Sequence, residues 1–272
     1  MSVSDRAPVI MVHGAFVGGW SFETFRQPFE AAGYPCLAPD LPGHGAGARG
    51  ADVAGRSIDD YVKAIVALIQ AQPQPPVLIG HSMGGLVSMI AAAKARVRSL
   101  IVLAPSPPWG VMGSTMEEAA SAITLHALGP FWLQSIEPDY AAARLYSLNR
   151  MDKPARKAAF ARMSRESGRA LWEVLNWWLD PFMTTQVSAG RIKAPVLALA
   201  GEKDVIHPAG TVSQTARKLG AEFRAFPGMS HWLVGEPGWE QVAEACLEWL
   251  ARQQAPQPAS LMAPPLSQGQ KG

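Results

Sequence analysis

The segment Gly80-His81-Ser82-Met83-Gly84-Gly85 follows the short apolar run Val77-Leu78-Ile79 and precedes a helix-like stretch, Leu86–Ala95. A serine with glycine two residues before it and two after it suits a tight strand-to-helix turn. Side chains are missing where strand and helix nearly touch, and the serine is held strained with its hydroxyl exposed at a helix start. Such a hydroxyl is a weak nucleophile. It needs a base, and the base needs a carboxylate to orient it.

Both are available at other strand ends. Asp204, in Gly201-Glu202-Lys203-Asp204, follows the apolar run Val196–Ala200, and His231, in Pro227-Gly228-Met229-Ser230-His231-Trp232, follows Glu222–Phe226. Three separate loops thus place Ser82, Asp204 and His231 at the carboxyl edge of one parallel sheet, where such sheets bind ligands. Glu202 is the alternative acid, but it lies nearer the strand end and reads as a solvated turn residue. His207 follows Asp204 by three residues and invites a metal reading; zinc needs a third protein ligand, none is evident, and no metal site is expected. His44, His81 and His126 read as structural or solvent-facing histidines.

A carbonyl under attack develops an oxyanion, which needs two aimed backbone donors. The N–H of Met83, next to the serine, is one. The loop His13-Gly14-Ala15-Phe16-Val17-Gly18-Gly19-Trp20 supplies the other, with Ala15 N–H the first candidate and Phe16 the second. Another glycine motif, Gly43-His44-Gly45-Ala46-Gly47-Ala48, fits a dinucleotide fingerprint. Pro39-Asp40-Leu41-Pro42 precedes it instead of a strand, and Gly50, Asp52 and Gly55 follow where a helix should start, so no nucleotide cofactor is expected.

These loops need a frame. Strands are expected at Pro8–Val12, Pro35–Ala38, Val77–Ile79, Leu100–Leu103, Val196–Ala200 and Glu222–Phe226, being short, apolar and bounded by Gly, Pro or Asp. Helical patterns lie between them. In Ser57–Ala71, Ser57 and Asp60 make a capping pair, while Ile58, Tyr61, Val62, Ile65, Leu68 and Ile69 form a stripe. The alternation predicts an α/β fold of about six mostly parallel strands with helices on both faces. From Pro107 to Arg191 no strand is predicted. This interval of mixed helical and loop-like sequence is too long for a loop and is expected to form a helical layer of its own. The core is then residues 1–106 and 192–252, the insertion 107–191, and residues 253–272 a disordered tail rich in Pro and Gln.

The insertion carries five of the nine tryptophans, with Met112, Met116, Leu125, Leu128 and Phe131 beside them. Some of these side chains must face the cleft if the layer covers it. Phe16, Trp109, Trp132, Trp178 and Trp232 are the pocket candidates, and apolar substrates are favoured. Arg150, Lys153, Arg156, Lys157, Arg162, Arg165 and Arg169, opposed only by Asp152 and Glu166, read as a solvated helix face.

Composition excludes other classes. Of 272 residues 48% are hydrophobic and 17% charged, enough apolar surface for a sizeable core. Glycine and proline, 48 residues together, stay below the roughly 25–30% that marks low-complexity chains. A net charge of +2 provides no field for nucleic acid. No apolar run is long enough for a membrane span, no secretory signal opens the chain, and Cys36 and Cys246 read as free thiols, with one disulfide between them as the alternative. A cytoplasmic location is expected.

Together the His13-Gly14…Trp20 block, Pro39-Asp40-Leu41-Pro42-Gly43-His44-Gly45, the Ser82 turn, Gly201-Glu202-Lys203-Asp204 and Gly228-Met229-Ser230-His231 resemble signatures of the α/β-hydrolase superfamily, across Pro8 to Leu250. The chain order Ser82, Asp204, His231 is the order of that superfamily. The resemblance implies a three-layer fold with a helical cap, Ser82 as nucleophile, Asp204 as acid, His231 as base, and a cap over the site. With no strand hairpin ahead of Pro8, the sheet is reduced. A serine nucleophile disfavours the epoxide hydrolase and haloalkane dehalogenase branches, which use aspartate there. The Ala15–Trp20 stretch is similar to small methylesterases and hydroxynitrile lyases. The expected activity is cofactor-free hydrolysis of apolar small-molecule carboxylic esters through an acyl-enzyme. Two alternatives remain open: a lyase using Ser82 and His231 for proton transfer, with Lys153, Lys157 or Lys193 beside the serine, and a ligand receptor without turnover.

Overall fold

A computed structural model of the chain describes residues 6–45, 47–116 and 130–254. The expectations placed on Ala46, Leu125, His126, Leu128 and the tail beyond Gln254 lie outside the described residues.

Eight strands occur among the described residues: β1 (Val9–Val12), β2 (Cys36–Leu37), β3 (Val77–His81), β4 (Ser99–Leu103), β5 (Ser135–Ile136), β6 (Glu166–Ser167), β7 (Val196–Gly201) and β8 (Glu222–Phe226). Six of them form one sheet in the order β2-β1-β3-β4-β7-β8, every neighbouring pair parallel. The register aligns Ile79 with Met11 on one side and Ile101 on the other, and Ile101 with Leu197. Central strands read as unbroken apolar runs because both faces are covered. Val9, Met11, Ile79, Ile101 and Leu199 pack toward the aromatic cluster Phe22, Phe25 and Phe29 and the C-terminal residues Cys246 and Trp249. Their neighbours Ile10, Val12, Leu78, Val102 and Ala198 pack on the opposite face. Three layers result.

The helices used below are α1 (Gln27–Ala31), α2 (Gly50–Val53), α3 (Ile58–Gln70), α4 (Met83–Lys94), α5 (Lys153–Ala161), α6 (Gly168–Leu175), α7 (Ala209–Leu219) and α8 (Trp239–Gln254). Helices α1 and α8 cover one face of the sheet; α3, α4 and α7 cover the other. The predicted cap of α3 is present: Ser57 Oγ accepts from Asp60 N–H and Asp60 accepts from Ser57 N–H, worth about 1 kcal/mol. Ile58, Tyr61, Val62, Ile65 and Ile69 are buried beneath it, while Leu68 is only half-buried. No helix among the described residues is long and apolar enough to cross a membrane.

Two expectations need correction. The insertion between β4 and β7 contains strands: β5 and β6 pair antiparallel, Ser135 opposite Ser167 and Ile136 opposite Glu166. Two-residue strands are too short to leave an apolar run. The basic run is not one solvated face either. Helix α5 ends at Ala161, and the chain then turns back through Arg162 and Arg165 into β6 and α6. Arg162 reaches Glu23 with two hydrogen bonds of 2.6 and 2.7 Å and lies over the Trp20 ring at 4.6 Å. Glu166 is fully buried.

Candidate active site

The turn between β3 and α4 holds Ser82 at φ 53°, ψ −124°, a left-handed conformation rare outside glycine. Crowding explains its glycines. A Cβ at Gly80 would run into Gly84 O and Ser88 Oγ, and one at Gly84 into the carbonyl oxygens of Val12 and His13. The serine backbone is tied down on both sides: its N–H donates to Leu103 O at 3.0 Å, and its C=O accepts from Gly85 N–H at 2.9 Å and Ser106 N–H at 3.0 Å. A Cβ at Gly14 would sit 3.0 Å from Ser82 Cβ, so the loop after β1 closes directly on the serine.

His231 Nε2 lies 3.0 Å from Ser82 Oγ, and His231 Nδ1 lies 2.8 Å from Asp204 Oδ2. The second carboxylate oxygen, Oδ1, accepts from Ile206 N–H at 2.8 Å and His207 N–H at 3.0 Å. Burial alone would raise the Asp204 carboxyl. The charge and hydrogen bond of His231, with the His207 contacts, outweigh burial and hold it below the usual carboxylate range. All three residues are buried, Ser82 the most exposed at 8%. Glu202 is exposed in the turn, as expected of a solvated residue.

Three further histidines surround this unit, each kept neutral by burial. His81 carries its proton on Nε2, since it meets the His231 carbonyl at 2.8 Å, and its pKa falls to about 3. His207, also lowered to about 3, places Nε2 2.9 Å from Ser106 Oγ and its ring 5.3 Å from that of His231. His13 accepts Leu41 N–H on Nε2 at 2.9 Å, so its Nδ1–H donates to Gly14 C=O at 2.8 Å; its pKa falls to about 4. The loop bearing His231 is also anchored by Ser230 N–H, which donates to the buried Glu236 carboxylate.

Ala15 N–H and Met83 N–H donate to no acceptor among the described residues. Phe16 N–H is already engaged, donating to Glu166 Oε2 at 3.2 Å, which favours Ala15 over Phe16 as the second donor. Among the pocket candidates, Trp232 is buried against Trp20 and His81. Trp109 packs edge-on against Trp177, Trp132 lies on Phe131 and Trp172, and Trp178 is 64% exposed. A cleft of about 550 Å³ opens at the seam between the 43–53 loop and the insertion, lined by Gly43, Val53, Glu137, Phe160 and Met163 and by none of Ser82, Asp204 or His231. The fingerprint-like loop from Gly43 leads into α2, a helix of one turn. Lys153 and Lys157 are exposed on α5, and Lys193, also exposed, donates to Gly190 C=O at 2.6 Å; the hydrogen-bond partner of Ser82 Oγ is His231, not one of the three lysines that the lyase alternative calls on.

Sequence reasoning missed Glu166, Ser106 and the contacts of His207. The one available signal for Glu166 was an acid isolated among arginines, which a surface ion pair gives equally well.

A sequence model of the alpha/beta hydrolase family matches residues 9–245. The chain is 28% identical over 258 residues to the dihydrolipoyllysine-residue acetyltransferase component of the acetoin cleaving system of Pseudomonas putida, an alignment covering 90% of this chain and 64% of that protein. It is 28% identical over 233 residues to a pimeloyl-(acyl-carrier protein) methyl ester esterase of Chromobacterium violaceum, covering 82% of this chain and 86% of the relative. The crystal structure of Paleococcus ferrophilus monoacylglycerol lipase superposes with a TM-score of 0.66 at 25% identity, over 91% of this chain and 96% of that one. The chain thus spans less than two thirds of the acetyltransferase component and most of the other two.

Proposed function

The chain belongs to the alpha/beta hydrolase family, and from that premise we propose that it is a cofactor-free serine hydrolase cleaving carboxylic esters of apolar small molecules. The observation that most supports this is the unbroken hydrogen-bond chain from Ser82 Oγ through His231 to Asp204, at 3.0 and 2.8 Å.

Ser82 Oγ forms a bond to the ester carbonyl carbon while His231 Nε2 takes its proton. Asp204 keeps Nδ1 protonated and stabilises the imidazolium. The carbonyl electron pair moves onto oxygen, facing Ala15 N–H and Met83 N–H, each worth about 3–4 kcal/mol in the transition state. The tetrahedral species collapses, the alcohol leaves with the His231 proton, and water repeats the sequence to release the acid. His231 is the imidazole whose Nε2 lies within hydrogen-bond distance of Ser82 Oγ, whereas His81 and His207 turn their Nε2 atoms to the His231 carbonyl and to Ser106 Oγ.

Residues 1–106 and 192–252 form the catalytic core in this reading, and 107–191 form a cap whose aromatic and methionine side chains favour apolar substrates. Two relatives whose names specify an ester, the methyl ester esterase and the monoacylglycerol lipase, point the same way. The free thiols Cys36 and Cys246 suit a cytoplasmic location.

The test is hydrolysis of p-nitrophenyl esters from acetate to laurate by wild type and Ser82→Ala. Loss of turnover on the order of 10⁶ in the variant is expected where a triad acts as a unit, and the chain-length optimum measures the pocket. A folded wild type without activity, or a variant as active as wild type, refutes the reading.

A further inference from the structure

The insertion and the core meet at Phe16. Its N–H donates to Glu166 Oε2 at 3.2 Å and its C=O accepts from Ser164 N–H at 2.9 Å. Both backbone groups are thereby paired with the chain entering β6. Phe16 sits at φ 66°, a conformation that a bulky residue keeps only when its surroundings hold it.

Glu166 is the holder. It is fully buried and accepts four hydrogen bonds: Tyr61 O–H and Ser167 N–H on Oε1, both at 2.7 Å, and His44 Nε2–H at 2.9 Å with Phe16 N–H on Oε2. An ionised carboxylate alone is an acceptor on both oxygens. Burial would raise the Glu166 carboxyl, and the bond and charge of His44 with the other donors override it, keeping the group ionised.

Two peptide planes flank Ala15. The plane of Gly14 C=O and Ala15 N–H is fixed by His13 Nδ1–H, which donates to that carbonyl. The next plane, Ala15 C=O and Phe16 N–H, is fixed by Glu166. We propose that Glu166 is a positioning residue for ester hydrolysis: a buried cap carboxylate that sets the second plane and so the aim of Ala15 N–H at the oxyanion. This rests on the reading of Ser82 as the nucleophile of an esterase. The cap then completes the catalytic loop as well as roofing the substrate.

The test compares E166Q with E173Q. Glu173 is also a buried cap carboxylate reaching the core, accepting Ile58 N–H at 2.8 Å at the start of α3, but it does not touch the oxyanion loop. In E166Q the amide N–H₂ replaces one acceptor and the charge is lost, so the bond to Phe16 N–H is either opposed outright or reduced from a charge-assisted to a neutral one of about half the strength. Expected for E166Q is a kcat reduced roughly 10- to 100-fold, short of the roughly 10²–10³ lost with a whole oxyanion donor, with KM within about twofold. Affinity for a trifluoromethyl ketone, which forms a tetrahedral adduct with serine, falls in step with kcat. E173Q loses thermal stability and keeps its kcat. An unchanged kcat in E166Q while Ser82→Ala is dead overturns the proposal, as do equal losses of kcat in E166Q and E173Q. If Ser82→Ala stays active, the esterase reading itself fails and the proposal with it. Should E166Q not fold, E166D and E173D, each one methylene shorter, are read by the same ratios.

Discussion

Asp204→Asn is the substitution for which the structure dictates the outcome most fully. An asparagine has one oxygen and one N–H₂ to place. At Asp204 two backbone donors, Ile206 N–H and His207 N–H, converge on Oδ1 at 2.8 and 3.0 Å, so the amide oxygen must go there to avoid opposing two N–H groups. The N–H₂ then faces His231 Nδ1. That nitrogen has to become an acceptor, which moves the imidazole proton to Nε2, opposite Ser82 Oγ, where no proton can be taken up. The variant keeps its shape and loses its base. A wrong tautomer of this kind lowers kcat by about 10⁴, equivalent to about 5 kcal/mol of transition-state stabilisation.

Two assays check this. Turnover of p-nitrophenyl butyrate gives the loss. The proton resonance of His231 Nδ1–H, present in wild type through its bond to Asp204, should vanish in D204N while the thermal midpoint shows a folded protein. A folded D204N within tenfold of wild type would refute the reasoning and send the acid assignment elsewhere. Glu202 is the obvious alternative; being exposed, it should give an E202Q variant with unaltered kcat.

Acid should unfold the protein early. His13, His81 and His207 are held at about 4, 3 and 3 in the fold, below an unfolded value near 6.5. The unfolded chain therefore gains protons first, and stability present above about pH 6.5 is lost below it, by up to about 4 kcal/mol per pH unit when all three titrate; a urea midpoint that stays flat from pH 7.5 to 5 contradicts this. Gly84→Ala sets a methyl against the backbone oxygens of Val12 and His13, which cannot rotate aside. Its cost should exceed the about 1–3 kcal/mol of ordinary overpacking, read as a lowered thermal midpoint or insoluble protein, whereas Gly190→Ala, with open space at its Cβ, should melt like wild type.

The parts of this molecule that were legible in the sequence are those whose physics is local. A parallel strand buried on both faces leaves a continuous apolar run, as in β1, β3, β4 and β7; the edge strands β2 and β8, partly exposed, were legible from their shortness and the Gly, Pro and Asp residues around them, and all six were found within two residues of their observed ends. The serine turn was legible because steric crowding at Gly80 and Gly84 demands glycine at fixed offsets. The capping pair of α3 spans three residues. His231 and Asp204 were legible by place, each just beyond a strand of the same sheet. What escaped was set by pairing across the chain. The strands β5 and β6 are two residues each and exist because Ser135 and Ser167 meet. Glu166 lies 150 residues from Phe16 and 122 from His44, among arginines that gave it the look of a solvent ion. Nothing within a few residues of Glu166 differs from a surface acid; its burial follows from the turn at Arg162–Arg165 bringing β6 back against the loop after β1. A carboxylate at that depth is tolerated only with donors on both oxygens, and here one of the four donors is the amide beside Ala15. On the proposed reading the cap is docked through a group whose removal leaves the loop carrying Ala15 without support, and changes in the cap should then register in turnover before they register in binding.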